Sequence, residues 1–247
     1  MRNVTETVKQ LIIINILFFV GTLALGDIAY KYLALYFPEN PSFQYWQPIT
    51  HMFMHGGLMH IFFNMFALYS FGSALESVWG SKKFLFFYVS CGLGAALLHT
   101  AVNYYYFQDG LNTLMAQGFS KAEILAVLNG KNNQQIIALL NGADLLNFVS
   151  AYVGTAVGAS GAIYGTIVAF AFMFPNAELA LMFIPVPIKA KYFVPGIVLV
   201  DLYLGISGKS IFGGGGIAHF AHVGGALFGF IIMWYWKKNQ FNQNRWN

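Results

Sequence analysis

The chain has 247 residues, of which 57% are hydrophobic and 9% charged, with a formal net charge of +4. Soluble domains carry about 25% charged residues, so a chain this apolar cannot cover its own surface in water and must take lipid as its main solvent. The 13 Lys and Arg lie between apolar runs rather than in a stripe, which argues against nucleic acid, and the single cysteine, Cys91, excludes an intrachain disulfide.

A bilayer core about 30 Å thick needs about 20 apolar residues as helix. Six spans are expected, near Gln10–Leu25, Leu58–Val78, Phe84–Tyr106, Gly158–Phe174, Tyr192–Ser207 and Ile217–Trp236. The first has Arg2 and Lys9 before it and Ala24-Leu25-Gly26 at its end, in the manner of a cleavable signal peptide. Its long apolar run and the spans that follow favour a retained helix. Ile28–Thr50, bearing Pro38, Pro41, Trp46 and Pro48, is an outer connection. Phe107–Ser150 is a polar insertion with helical patterning, where Ser120-Lys121-Ala122-Glu123 reads as a capping box. Asn129-Gly130 and Asn141-Gly142 read as helix stops. Gly208–Gly216, with four consecutive glycines, is expected to be a movable lid after the fifth span.

Orientation follows from the basic residues. With the N-terminus inside, Arg2, Lys9, Lys82, Lys83, Lys189, Lys191, Lys237, Lys238 and Arg245 face inward, against Lys31, Lys121, Lys131 and Lys209 outside. That asymmetry places both termini in the cytoplasm and suggests a bacterial cell membrane. The whole chain, 1–247, is expected to be one membrane domain, with 107–150 an outer-face insertion and 237–247 a cytoplasmic tail.

Polar groups at membrane depth are expensive and ask for a reason. Gly158-Ala159-Ser160-Gly161 opens the fourth span, His60 and Asn64 lie one turn apart on the second, and His222 lies in the sixth. Gly161 and Gly165 are four apart, as are Gly225 and Gly229, and such small-residue faces let two helices approach closely. If these two faces meet, Ser160 gains His222 as a base, which makes a nucleophile without an acid nearby in sequence. A serine attacking an amide creates an oxyanion. His60, Asn64 and the Ser160 N–H at a helix N-terminus are the donors on offer. Tyr164, one turn below Ser160, is placed to pack on the His222 ring.

The strings His55-Gly56-Gly57-Leu58-Met59-His60-Ile61-Phe62-Phe63-Asn64, Gly158-Ala159-Ser160-Gly161-Ala162-Ile163-Tyr164-Gly165 and Ala221-His222-Val223-Gly224-Gly225 resemble, in order, three motifs of the rhomboid intramembrane proteases. The resemblance runs from roughly Trp46 to Trp236. It implies an all-α membrane protein, a rhomboid-like bundle of six transmembrane helices around a water-filled cavity. It further implies a serine endopeptidase with a Ser160–His222 dyad, supported by His60, Asn64, Tyr164 and Gly158. No metal and no cofactor are implied. The implied partners are transmembrane protein substrates, cut near the outer membrane face, and the lipid bilayer. Glu76 matches a family acid whose part looks structural. Trp46-Gln47 departs from the family's frequent Trp-Arg, and the long insertion departs from minimal members.

His51 and His55, at i,i+4 spacing, raise a metal reading, but no His-Glu-x-x-His pattern accompanies them. His55 is expected to fix the outer loop by hydrogen bonding, and His99 and His219 to be structural. Asp201, an acid within the fifth span, is expected to serve structure or to anchor the gate. The alternative function is an inactive rhomboid-like protein that binds transmembrane clients; the presence of both Ser160 and His222 counts against it.

Overall fold

A computed structural model describes residues 4–140, 145–181, 184–208 and 217–239. Helix α1 (Glu6–Leu25) leads through the short α2 (Asp27–Leu33) to α3 (Gln47–Thr50) and a 3-10 turn at His51–Phe53. The second span, Leu58–Trp79, is built from α4 (Leu58–Ala67), a π-helical turn at Leu68–Gly72 and α5 (Ser73–Trp79). The third, α6 (Ser81–Met115), is 35 residues long and is followed by α7 (Lys121–Leu128), α8 (Gln134–Leu140) and α9 (Leu146–Val153). Then come α10 (Ser160–Met173), a β1 (Glu178–Leu181) and β2 (Ile184–Lys189) hairpin, α11 (Ala190–Ser207) and α12 (Ile217–Asn239).

The expected all-α membrane bundle is present, with two differences. Among the described residues, five helices are long and apolar enough to cross a membrane, while α10, with 14 residues, is shorter. The antiparallel β1–β2 hairpin, pairing Glu178 with Lys189 and Leu179 with Ile188, is not among the expected elements, and its Pro185 and Pro187 cannot donate ladder hydrogen bonds. A two-stranded hairpin tolerates them, since each strand has a free edge.

Backbone proximity sets the centre of the bundle. A Cβ added at Gly225 of α12 would lie 1.8 Å from the Gly161 carbonyl oxygen of α10, and one at Gly229 would lie 2.7 Å from Gly165 Cα. Helix α6 closes the third side, where a Cβ at Gly224 would meet the Gly94 carbonyl oxygen at 2.9 Å. The main core gathers around these helices, with Phe84, Phe87, Tyr88, Cys91, Ala162 and Ile163 among its buried members. Outward, residues such as Leu17, Leu23, Phe86, Leu97 and Leu199 stay exposed, as lipid-facing side chains do.

Glu76 ties the inner end together. Its carboxylate accepts from the Thr7 and Val8 backbone N–H groups, both at 2.9 Å, and from the Thr5 and Ser81 hydroxyls. It thus caps α1, whose first amides have no intrahelical partner, from a different helix. The structural part implied for Glu76 has this geometry.

The outer side is organised by Gln47, which is fully buried. Its side-chain oxygen accepts from the Tyr36 and Gln44 amides, and its nitrogen donates to the Lys31 and Ser42 carbonyls. A neutral amide therefore satisfies four loop backbone groups at the position where Trp46-Gln47 departs from the Trp-Arg of the family it resembles. The insertion packs on this loop in a second core: Phe37 and Phe107 meet Ile124, Ile136, Phe148 and Tyr152. Phe107 stacks on Phe148 and Tyr152, Lys121 pairs with Glu39 at 2.8 Å, and the Ser120–Glu123 capping box forms. Helix α6 runs on to Met115, so Phe107–Met115 is helix continuous with the third span. Asn141-Gly142, the second stop signal, lies outside the described residues, as do 209–216 of the expected lid and the tail from Gln240.

Candidate active site

Ser160 is the first residue of α10, with Ala159 at the cap position. The first amides of a helix have no intrahelical acceptor, so the Ser160 N–H is among those left to face the site. The small-residue contact between α10 and α12 brings His222 to it: His222 Nε2 lies 2.9 Å from Ser160 Oγ. For Nε2 to accept the hydroxyl hydrogen, the ring must carry its proton on Nδ1.

Tyr164 packs flat on that ring, with centroids 4.4 Å apart and planes 6° from parallel. Its hydroxyl donates to Asp201 Oδ2. Asp201 Oδ1 lies 3.1 Å from His222 Nδ1 and 2.5 Å from His219 Nδ1. Asp201 is expected to serve structure or to anchor the gate and His219 to be structural, yet both meet the side of the His222 ring away from Ser160. Asp201 announced itself as an intramembrane acid, and His219 lies three residues before His222, on the same helical face. Nothing in sequence spacing joins α11 to α12 at this point.

The side expected to hold an oxyanion is built around Gly158. Its φ of +133° lies in a region that side-chain-bearing residues seldom adopt, and its N–H donates to the His51 carbonyl at 2.9 Å. A Cβ there would fall 2.9 Å from His60 Nε2 and 3.5 Å from Ser160 Oγ. The absence of a side chain thus leaves open the space between those two atoms. The Gly56 N–H lies 3.3 Å from His60 Nδ1, which must then accept, leaving Nε2–H as the donor aimed into that space. Asn64 is buried one turn on, with one amide N–H on the His60 carbonyl at 2.8 Å and its second left to donate.

His55 is buried and packs edge-on against His60, ring centroids 5.0 Å apart. Burial holds its pKa down at about 3, helped by the neighbouring His60. His51 is held down at about 4, again by burial, and its Nδ1 donates to the Gln47 carbonyl. Both outer-loop histidines are therefore neutral wherever the protein is folded near pH 7. His99 is buried in α6 beside Asn103, at 3.0 Å.

Among the described residues, Asp201, His219 and His222 form a group whose ligand atoms lie within 4.8 Å of one another, as a metal site would need. A tetrahedral ion with bonds of about 2.0–2.1 Å holds its ligands about 3.3 Å apart. The 2.5 Å between Asp201 Oδ1 and His219 Nδ1 is too close for two ligands of one ion and fits a short hydrogen bond.

Comparison with known proteins supplies the family. The Rhomboid domain model matches residues 42–239. Among curated relatives, "Rhomboid protein 1, mitochondrial" of Saccharomyces cerevisiae is 25% identical over 186 residues, 75% of this chain and 40% of that protein. "Presenilin-associated rhomboid-like protein, mitochondrial" of Bos taurus is 27% identical over 203 residues, 81% of this chain and 40% of that protein. "Rhomboid-like protein 15" of Arabidopsis thaliana is 28% identical over 146 residues, 55% of this chain and 36% of that protein. The chain spans about two fifths of the length of the curated relatives it matches. The expectation of a bacterial cell membrane with cytoplasmic termini is overturned: the relatives matched over most of this chain carry mitochondrial names. Basic-residue asymmetry reports the two sides of a bilayer and carries no information on which organelle owns it. The multi-pass membrane character stands, and the chain belongs to the rhomboid family.

Proposed function

We propose that this protein is an intramembrane serine endopeptidase that cleaves transmembrane segments of other membrane proteins, with Ser160 as nucleophile and His222 as general base. The observation that carries the reading is the 2.9 Å contact between Ser160 Oγ and His222 Nε2, made across a helix interface of glycines. Attack by Oγ on a substrate carbonyl passes the hydroxyl proton to His222 Nε2. The proton then goes to the leaving amine, and a water hydrolyses the acyl-enzyme by the same route in reverse. The negative oxygen formed on attack meets His60 Nε2–H, Asn64 and the Ser160 N–H, in the space that Gly158 leaves open. We further assign cleavage to the outer membrane face, and 1–247 to one membrane domain with an outer insertion at 107–150.

The alternative, an inactive protein that binds transmembrane clients, gains nothing from this site. A binding role requires neither the dyad contact nor a donor aimed at the space beside Ser160.

Reconstitution with a transmembrane model substrate tests the reading. Wild type is expected to cleave it and to be labelled by a fluorophosphonate at Ser160, whereas Ser160→Ala does neither and stays folded. A folded wild type that neither cleaves nor labels, or labelling that persists in Ser160→Ala, overturns it.

A further inference from the structure

We propose that Asp201 is the positioning residue for His222, so that this site works as a three-member relay held from the fifth membrane helix. The inference rests on the peptidase reading of Ser160 and His222 and deepens it.

Asp201 is buried in α11, with 6% of its surface exposed. An acid at such a place persists only where donors satisfy it. Three do so here. His222 Nδ1 and His219 Nδ1 both face Oδ1, and the Tyr164 hydroxyl occupies Oδ2. Each donor comes from another helix, Tyr164 from α10 and the two histidines from α12. The carboxylate is therefore held by the two helices that carry the nucleophile and the base. A residue that only filled space or tied α11 to the bundle has no need to face the imidazole nitrogen opposite the nucleophile.

The arrangement answers a requirement of the chemistry. His222 accepts a proton at Nε2 only if its own proton sits on Nδ1, and a free imidazole exchanges between both tautomers. A carboxylate 3.1 Å from Nδ1 selects the productive tautomer and fixes the ring against rotation. As the bond from Ser160 Oγ to the substrate carbon forms, the hydroxyl proton moves to Nε2 and the ring becomes a cation. Asp201 keeps its negative charge throughout and faces that cation at 3.1 Å from a buried position, where opposite charges attract strongly. Tyr164, stacked on the ring and bonded to the other carboxylate oxygen, holds ring and acid in one frame.

Asp201→Asn tests this, because the amide keeps the size of the side chain and removes the charge. The expected result is a kcat lowered by roughly a hundredfold or more, with KM and the thermal transition close to wild type. Asp201→Glu, which restores a carboxylate one methylene further out, is expected to recover part of that loss. A purely structural residue gives the opposite ranking, since Asn fits the space and Glu does not. The tautomer is read separately, by nitrogen-15 NMR of histidine-labelled protein in micelles, with His222 assigned from His222→Gln. The wild type is expected to show the Nδ1–H form, and Asp201→Asn a mixed or Nε2–H form. Unchanged kcat with unchanged tautomer in a folded Asp201→Asn overturns the proposal. If that variant does not fold, an Nε2–H tautomer in the wild type overturns it, and an Nδ1–H tautomer supports it. A wild type that neither cleaves nor labels, yet shows a tautomer that depends on Asp201, overturns the peptidase reading and leaves the pairing of Asp201 with His222 standing.

Discussion

Gly225 and Gly161 are in backbone contact: a Cβ on Gly225 would sit 1.8 Å from the Gly161 carbonyl oxygen. No side-chain rearrangement relieves a clash with backbone, so any larger residue must push α10 and α12 apart. Gly225→Ala is expected to lose about 3 kcal/mol of stability. It is also expected to lose nearly all activity, because Ser160 and His222 ride on the two helices that separate. Thermal denaturation in detergent and fluorophosphonate labelling check this together. Wild-type labelling by Gly225→Ala would mean that the helices do not pack as described.

The oxyanion side predicts a different pattern. His60→Ala removes the donor aimed beside Ser160, and loss of one such donor raises a barrier by about 3 kcal/mol, roughly a hundredfold in rate. Gly158→Ala combines an unfavourable φ of +133° with a Cβ 2.9 Å from His60 Nε2. Both variants are expected to fold and to cleave slowly. A collapse of thermal stability in His60→Ala with activity retained by the folded fraction would assign this face to structure instead.

At the inner end, Glu76 accepts four hydrogen bonds that join α1 to the turn between α5 and α6. Glu76→Ala leaves the Thr7 and Val8 amides without an acceptor and is expected to cost about 3 kcal/mol. Glu76→Gln, which keeps an acceptor oxygen, is expected to cost less than half as much. Neither change reaches the active site, so the specific activity of folded protein should stay near wild type. Equal stability of Glu76→Ala and wild type would remove the capping role.

His51 and His55 give the protein an acid limit. Their folded pKa values, about 4 and about 3, lie below the ordinary 6.5, chiefly because burial disfavours the charged ring. The folded state refuses protons that the unfolded chain accepts. Stability is therefore full above pH 6.5 and falls as pH drops from there towards 3–4. By pH 5 each histidine is expected to cost about 2 kcal/mol. Thermal scans in detergent at pH 7.5 and pH 5 measure this; a transition that does not move would contradict the burial of these rings.

Deleting the outer insertion separates scaffold from chemistry. Replacing 111–142 with a short Gly/Ser linker removes Leu111, Leu114, Ile124 and Ile136 from the second core and breaks the Lys121–Glu39 pair. The protein is expected to lose stability on its outer side and still label with a serine probe, with altered cleavage of a transmembrane substrate. Loss of labelling in a folded deletion variant would place the insertion inside the site.

Much of this architecture was legible because lipid imposes a plain code. Long apolar runs marked the spans, and glycines four apart marked the faces where α10 and α12 meet. What the code omits is partnership across helices. Asp201 was visible as a costly acid, yet its place against His222 Nδ1 depends on how α11 rotates against α12, which no local pattern records. Gln47 looked like the loss of an arginine and is the hub of the outer loop, because an amide both donates and accepts. Helix α6 outruns its apolar stretch: the third span is expected to end near Tyr106, but Phe107, Leu111 and Leu114 keep a helical stripe that packs in the second core.

The fourteen residues of α10 rise about 21 Å, some 9 Å less than a typical hydrocarbon layer. Its partners α6 and α12 are long enough to cross, so the shortfall is local to the helix that begins at Ser160. The chain just before it, Gly154–Ala159, is not helical, and irregular backbone at membrane depth survives only against protein or water. Part of it is paired, through the Leu35–Ala156 bridge and the Gly158 N–H on His51, and what remains needs solvent. The fold thus carries its own interruption of the bilayer, a break in the helical wall at Ser160 where the peptidase reading requires water to reach the hydroxyl from below the headgroups.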